Sequence, residues 1–355
     1  VKIREGMKLK LEQSSLTSRE IITPIISVIL ALLVGAVFIL IVGENPIEAY
    51  WVLFSNSLIG VSSIAATLQR ATPLIFTGLA VAFAFRCGLF NIGAEGQLYV
   101  GAMAAVIVGV SFSGIPKVIH LPMAIIAGML AGGLWASIPG LLKAKLGVHE
   151  VINTIMMNFI AYFLTDYLVT GPFHGGRWTP ETARVFPTAE LSRLFPPTRL
   201  NTGIFIAIAA IILVYFILWR TRFGYEIRAV GFNPTAAEYG GISVSRNMVM
   251  AMVFSGALAS LAGVEQILGV HGRFIQRFSP DLGFMGIAVA LLGKNHPVGV
   301  FFAAVLFGAL RTGAAAMDRL TDVPRELVVI IQALIIMFVA AEELTRRLIQ
   351  RRRRA

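Results

Sequence analysis

Apolar runs of about 20 residues repeat along most of this chain, and that is the length a helix needs to cross the hydrocarbon core of a bilayer. They cover 24–42, 64–85, 89–110, 122–142, 148–169, 202–219, 248–268, 297–315 and 326–341. A shorter run, 282–292, is too brief to cross alone, unless helix beginning near Ile275 contributes or the segment is a half-helix. The pattern predicts an all-α, polytopic membrane protein with about ten transmembrane helices within residues 24–343. Two longer polar stretches interrupt it. Residues 171–201 carry Pro172, Pro180, Pro187, Pro196 and Pro197, too many for a continuing helix, so they form a loop in water. Residues 220–247 form a second, charged loop, and a short amphipathic segment at 50–54 lies at the membrane interface.

Ten crossings put both termini on one side, and the basic residues decide which. With the termini inside, the cytoplasmic parts are residues 1–23, Arg86, Lys143 and Lys145, the 220–247 loop, Lys294 and the Arg-rich tail 344–355. About 19 of the 30 Lys and Arg residues are then cytoplasmic, as the positive-inside bias demands. The 171–201 loop is then outside. The early and late crossings start from opposite sides, so any internal repeat is inverted. Each half has a Gly-interrupted apolar stretch, 88–101 and 283–299, which marks either a transport pathway or close helix packing. Gly128 and Gly132, at GxxxG spacing, fit the packing alternative.

Composition agrees with the membrane reading. Hydrophobic residues make up 57% of the chain and charged ones 14%, well below the roughly 25% of a soluble domain. The basic N-terminal residues Lys2, Arg4, Lys8 and Lys10 precede a run long enough to span, with no small-residue cleavage pattern, so no signal peptide is read there. A single cysteine, Cys87, excludes an intrachain disulfide and argues against a thiolate metal site. The net charge of +11 fits contact with anionic lipid and not with nucleic acid.

No residues suggest catalysis, a metal site or a cofactor. His149-Glu150 lacks the second histidine of a zinc-protease helix, since Asn153 stands there, and no phosphate-binding glycine loop is present. ATP hydrolysis, if the protein depends on it, belongs to another polypeptide. The costly groups are buried polar ones. Glu95 at the centre of a span costs about 2.5–3.5 kcal/mol to insert, so it faces a bundle interior or a wet cavity, or else it snorkels and pairs with Arg86. Asn91, Glu95 and Gln97 are one candidate substrate pathway, and Glu265 with Gln266 a second. Asn153 and Asn158 suit hydrogen bonds between helices.

The 220–247 loop is the most informative segment. Asn233 or Thr235 can cap a short helix through Ala236, Ala237, Glu238 and Tyr239, with Pro234 at its first position and Gly240 and Gly241 ending it. A capped helix in a cytoplasmic loop is a rigid knob suited to a partner's groove. These residues resemble the coupling loop of the permeases of branched-chain amino acid, ribose and nucleoside ABC importers: T221-R-F-G224, R228-A-x-G231-x-N233, A236-A237 and G241-I242. The run Gly88-Leu-Phe-Asn-Ile-Gly-Ala-Glu-Gly-Gln97, the stretch Val148 to Asn158 and the stretch 286–299 resemble the nucleoside (simple-sugar-annotated) branch.

That resemblance implies a non-catalytic permease subunit in the prokaryotic cytoplasmic membrane, forming a translocation pathway for nucleosides or a similar small solute. It implies cytoplasmic ABC ATPase subunits, a second permease subunit that is often a paralogue, and an extracytoplasmic solute-binding protein. Carried over as ATPase-coupling residues are Gly231, Asn233, Ala236, Ala237, Glu238, Gly240 and Gly241. From the residues alone, a self-contained ion-coupled secondary transporter remains the alternative, since inverted halves and a buried acid suit that class too.

Overall fold

The computed structural model describes residues 24–176 and 178–352, with side chains described through Ala341; the N-terminal segment 1–23 lies outside the described residues. The helices are α1 (Pro24–Val42), α2 (Pro46–Leu58), α3 (Val61–Arg86), α4 (Ala94–Ser111), α5 (Lys117–Leu146), α6 (Glu150–Thr170), α7 (Gly203–Arg220), α8 (Arg222–Phe232), α9 (Pro234–Tyr239), α10 (Val244–Glu265), α11 (Leu282–Leu292), α12 (Pro297–Leu320) and α13 (Arg325–Arg352). The fold is all-α. Eight of these helices are long and apolar enough to cross a membrane: α1, α3, α4, α5, α6, α7, α10 with its extension to His271, and α12.

Length and composition give eight among the described residues and do not confirm the expected count of about ten. The eighth apolar run is α11, only 11 residues long. No helix from Ile275 lengthens it, because the chain before it is irregular and Ile275 is bridged to Glu181. The half-helix alternative holds. The tenth run lies within α13, a 28-residue helix that continues into the arginine-rich end. The third begins at Ala94 rather than 89, since residues 87–93 leave the helix between α3 and α4.

The chain divides into two compact units, one comprising residues up to Ser57 and from Leu310 onward, the other Leu58–Ala309. In the first unit, Tyr50 Oη donates to the Leu32 carbonyl at 2.6 Å and so fastens α2 to α1. Gly35 lets Ile331 of α13 approach α1. Much of α1 is left exposed, including Leu33, Val37, Leu40 and Ile41, as a lipid-facing helix requires.

In the larger unit, α3, α4 and α10 form the centre, with 78%, 67% and 67% of their apolar windows buried, whereas α5 and α6 bury only 28% each. Small residues explain the centre. A Cβ on Gly256 of α10 would lie 2.3 Å from the Gly132 carbonyl of α5, and one on Gly132 would lie 2.5 Å from Ser260, so only glycine lets these backbones meet. That is the packing role expected of Gly132. Outer helices present bulky stripes, such as Ile152, Phe159, Phe163 and Tyr167 on α6.

The 171–201 loop folds onto one end of this unit. Thr182 N donates to the Phe274 carbonyl at 2.9 Å, Leu191 N to the Leu268 carbonyl at 2.9 Å, and Phe186 N to the Gly109 carbonyl at 2.9 Å. Arg273 and Glu181 form an ion pair at 2.6 Å. The helical pair α8–α9 occupies the segment between α7 and α10.

Candidate functional site

The break between α3 and α4 is the polar centre of the larger unit. Leaving the helix at residue 87 frees backbone groups, and in an apolar surrounding each needs a partner. Asn91 supplies one: its Oδ1 accepts from Gly93 N at 3.0 Å. Its Nδ2 donates to Gln97 Oε1 at 2.9 Å and to Ser255 Oγ of α10 at 2.8 Å, and Gln97 Nε2 returns a bond to Asn91 Oδ1 at 3.1 Å. Ser255 Oγ in turn donates to the Ala80 carbonyl of α3 at 2.7 Å. From α6, Asn158 completes the frame, accepting from Gly96 N at 2.8 Å and donating to the Ile92 carbonyl at 3.0 Å. Asn91, Glu95 and Gln97 are each 1% exposed. The network joins four elements and is closed to solvent.

Glu95 sits in the first turn of α4, and its Oε2 accepts the Gly283 N–H in the first turn of α11. The two helix N-termini abut at backbone distance: a Cβ on Gly283 would lie 2.3 Å from Glu95 N. Each N-terminus carries about half a positive elementary charge. Two such ends in contact repel, and a carboxylate between them turns both interactions favourable. That accounts for a buried acid at this place. The two Gly-interrupted stretches singled out in the sequence, around Gly88–Gly101 and Gly283–Gly299, therefore meet in space. Arg86 is engaged at the other end of α11, where its Nε donates to the Asn295 carbonyl at 2.9 Å.

Glu265 and Gln266 form a separate cluster ten residues further along α10 than Ser255, about 15 Å by helix rise. Asn201 Nδ2 donates to Glu265 Oε1 at 2.7 Å, and Gln266 Nε2 donates to Glu265 Oε2 at 2.7 Å. Asn201 Oδ1 accepts from Gly203 N at 2.8 Å, so the cluster ties the start of α7 to α10. Beyond it, α10 widens into a π-helical turn, Gln266–His271. Between this cluster and α11, the irregular chain is held by Tyr99 Oη, which accepts from Ser279 N at 3.1 Å, and by Arg277, paired with Asp166 at 3.0 Å and lying over the Tyr162 ring.

The 220–247 segment folds as two helices. Thr221 Oγ1 caps α8 by accepting from Gly224 N at 3.1 Å. Asn233 Oδ1 caps α9 by accepting from Ala236 N at 3.1 Å, and Pro234 is its first residue, as the sequence predicts. Gly240 N closes the helix onto the Ala236 carbonyl at 3.1 Å, and Gly241 follows at φ +78°. Ala237 is buried beneath α9, whereas Ala236 and Glu238 point outward. Phe232, the last residue of α8, and Tyr239, the last of α9, are 88% and 91% exposed. Gly231 packs on the end of α3, where any Cβ would lie 2.2 Å from the Arg86 carbonyl oxygen. The Asn247 amide, and with it the Arg222 guanidinium, hold the Glu226 carboxyl below its usual range.

The structure thus gathers Asn91, Glu95 and Gln97 at one break, Glu265 and Gln266 in a second cluster, and the candidate coupling residues on and around α9, a third element that is mostly exposed. Two residues that the sequence does not mark complete the first two: Ser255 and Asn201, ordinary polar side chains until their distant partners are known. Residues 222–232, which the sequence presents as part of a charged loop, form the helix α8. Among the described residues no group of three or more His, Cys, Asp and Glu is placed to hold a metal ion.

Helices long and apolar enough to cross a membrane, with a polar centre built on a broken helix, are features that suit a transport permease. Residues 63–340 match the family "Branched-chain amino acid transport system / permease component". The chain is similar to the guanosine ABC transporter permease protein NupP of Bacillus subtilis (strain 168), 44% identical over 90% of this chain and 93% of that one. It is also similar to the nucleoside ABC transporter permease protein NupB of Lactococcus lactis subsp. cremoris (strain MG1363), 41% identical over 92% of each. A third relative, the glucose ABC transporter permease protein TsgB13 of Haloferax volcanii, is 38% identical over 92% of this chain and 88% of its own. This chain belongs to that family, as a multi-pass permease subunit of an ABC importer in a prokaryotic cell membrane.

Proposed function

We propose that this permease carries nucleosides, purine nucleosides such as guanosine among them, with α9, its own Tyr239 and the preceding Phe232 as the element that docks on the ATPase. The solute reading is supported by two of the three relatives above, whose names give guanosine and nucleosides; glucose, named for the third, is the competing solute class. The docking reading is supported by one observation above others. Phe232, just before a six-residue helix whose caps are satisfied, and Tyr239, its last residue, stand 88% and 91% exposed. Large aromatics held rigidly in water, in the chain's main charged loop, fit a partner's groove. The loop then lies in the cytoplasm with both termini, as the Lys and Arg distribution favours, and the 171–201 face is outside.

The assembly comprises cytoplasmic ABC ATPase subunits, a second permease, which we take to be a paralogue, and an extracytoplasmic solute-binding protein that meets the 171–201 face. The pathway opens between permease subunits. Asn91, Glu95 and Gln97, with Glu265 and Gln266, stand behind it as a frame, since their amides and Glu265 are bonded within the protein. Ala236→Arg tests the docking role. Its side chain is exposed, so the fold survives; uptake in a reconstituted complex is expected to fall at least tenfold. Uptake and coupled hydrolysis at the unaltered level would refute docking through α9.

A further inference from the structure

We propose that Arg86 is the positioning residue that makes α11 follow α8, so that movement of the docking helices reaches the broken centre of the permease. This rests on the ABC permease reading above. The contacts form a continuous path. At one end, Gly231 of α8 lies against the Arg86 carbonyl so closely that no side chain fits between, and Gly88, at φ +77°, would bring a Cβ within 3.4 Å of Gly231 Cα. From the same residue the Arg86 guanidinium reaches the far side, donating through Nε to the Asn295 carbonyl at 2.9 Å and through Nη2 to the Lys294 carbonyl at 3.3 Å.

Those two carbonyls end the turn that follows α11. A guanidinium at a helix C-terminus matches the negative end of the helix dipole, as Glu95 matches the positive end. The half-helix is therefore held at both ends by side chains from either side of a single break, Arg86 and Glu95. It moves with that break. Lys294 and Asn295 both lie at φ 53°, a left-handed conformation that ordinary side chains hold only when their surroundings dictate it. Arg86 supplies that constraint, and release of its two bonds frees the turn to change.

Trp219, at the end of α7, completes the joint. The Arg86 guanidinium lies 5.0 Å above its ring and that of Arg228, from α8, lies 5.9 Å away, while His296 approaches within 5.0 Å. A residue of α8, the end of α3 and the turn after α11 thus share one indole. Displacement of α8 relative to α11 changes the surroundings of that ring.

The experiment uses the assembled transporter with its ATPase in proteoliposomes. Arg86→Gln is expected to lower nucleoside uptake at least tenfold while ATP hydrolysis stays within twofold of the unaltered complex. Arg86→Lys, which keeps the charge but cannot fork to two carbonyls, is expected to fall between them. In a complex whose permease retains Trp219 alone among its own tryptophans, with the partners' tryptophans likewise replaced, emission is expected to differ between nucleotide-free and ATP-trapped states. Arg86→Gln is expected to abolish that difference. Uptake within twofold of normal, a parallel fall of uptake and hydrolysis, or Trp219 emission insensitive to nucleotide in the unaltered permease would each overturn the proposal. If uptake in the unaltered complex needs no ATP, the permease reading itself fails, which is a separate result.

Discussion

Gly283→Ala probes the contact on which the polar centre is built. The added Cβ would stand 2.3 Å from Glu95 N and 2.5 Å from Glu95 Cα, both backbone atoms that cannot rotate away. Comfortable separation of such atoms is about 3.5 Å, so the N-termini of α4 and α11 must part by about 1 Å. Overpacking of this kind costs about 1–3 kcal/mol. Stretching the bond from Gly283 N–H to a carboxylate forfeits about 1.5–3 kcal/mol. Alanine in place of helical glycine returns about 0.5–1 kcal/mol. The net loss is about 3 kcal/mol, roughly a hundredfold in the ratio of folded to unfolded protein. Cys87 provides the assay, since it is the only cysteine and 1% exposed. A thiol-reactive fluorophore added during heating reports when the core opens, and Gly283→Ala is expected to react at distinctly lower temperature. Gly133→Ala, whose Cβ would meet its nearest atom at 3.2 Å, is the mild comparison. Equal melting of Gly283→Ala and the parent would refute the abutting-helix account of Glu95.

Asn233→Ala removes the cap of α9 and costs that helix about 1 kcal/mol; faster amide exchange over residues 234–239 and partial loss of coupled uptake are expected, and unchanged exchange would count against the cap. Ala237→Arg, unlike Ala236→Arg, forces a charge beneath α9 where the side chain is buried, so it should lower assembly itself, measured by co-purification with the ATPase. Ser255→Ala strands a donor of Asn91 and an acceptor site at Ala80, a loss of about 1–3 kcal/mol in the same thiol-reactivity melt. A double-mutant cycle with Asn91→Leu should show coupling between the two sites, and simple additivity would contradict the network.

Much of this molecule was legible in its sequence, for physical reasons that can be traced. Lipid demands apolar runs, so the spans appeared as runs. Caps act within three or four residues, so Asn233, Pro234 and Gly240 declared α9 locally. The half-helix α11 was legible in its length but not in its cause, because the chain before it is held by Thr182, Asp166 and Tyr99, which lie 80 residues or more upstream. The cost of burying Glu95 marks it in the sequence, which leaves open a bundle interior or a pairing with Arg86, and the interior is what the structure shows. The structure spends Glu95 on Gly283 and places Arg86 at the opposite end of the same helix, a pairing that no local spacing announces. The helix α8 is not legible locally because residues 222–232 carry the charges of a loop, and the burial of Ile227 and Val230 arises only once α8 packs among α3, α7 and α10.

The most direct test of the account is cross-linking from position 239. With Cys87 replaced by Ala and Tyr239→Cys as the only thiol of the permease, a short bifunctional reagent applied to the assembled importer should join this chain to its ATPase, and a membrane-impermeant thiol reagent should reach position 239 only from the cytoplasmic side. A cross-link to an extracytoplasmic partner, or labelling from outside intact cells, would contradict the account.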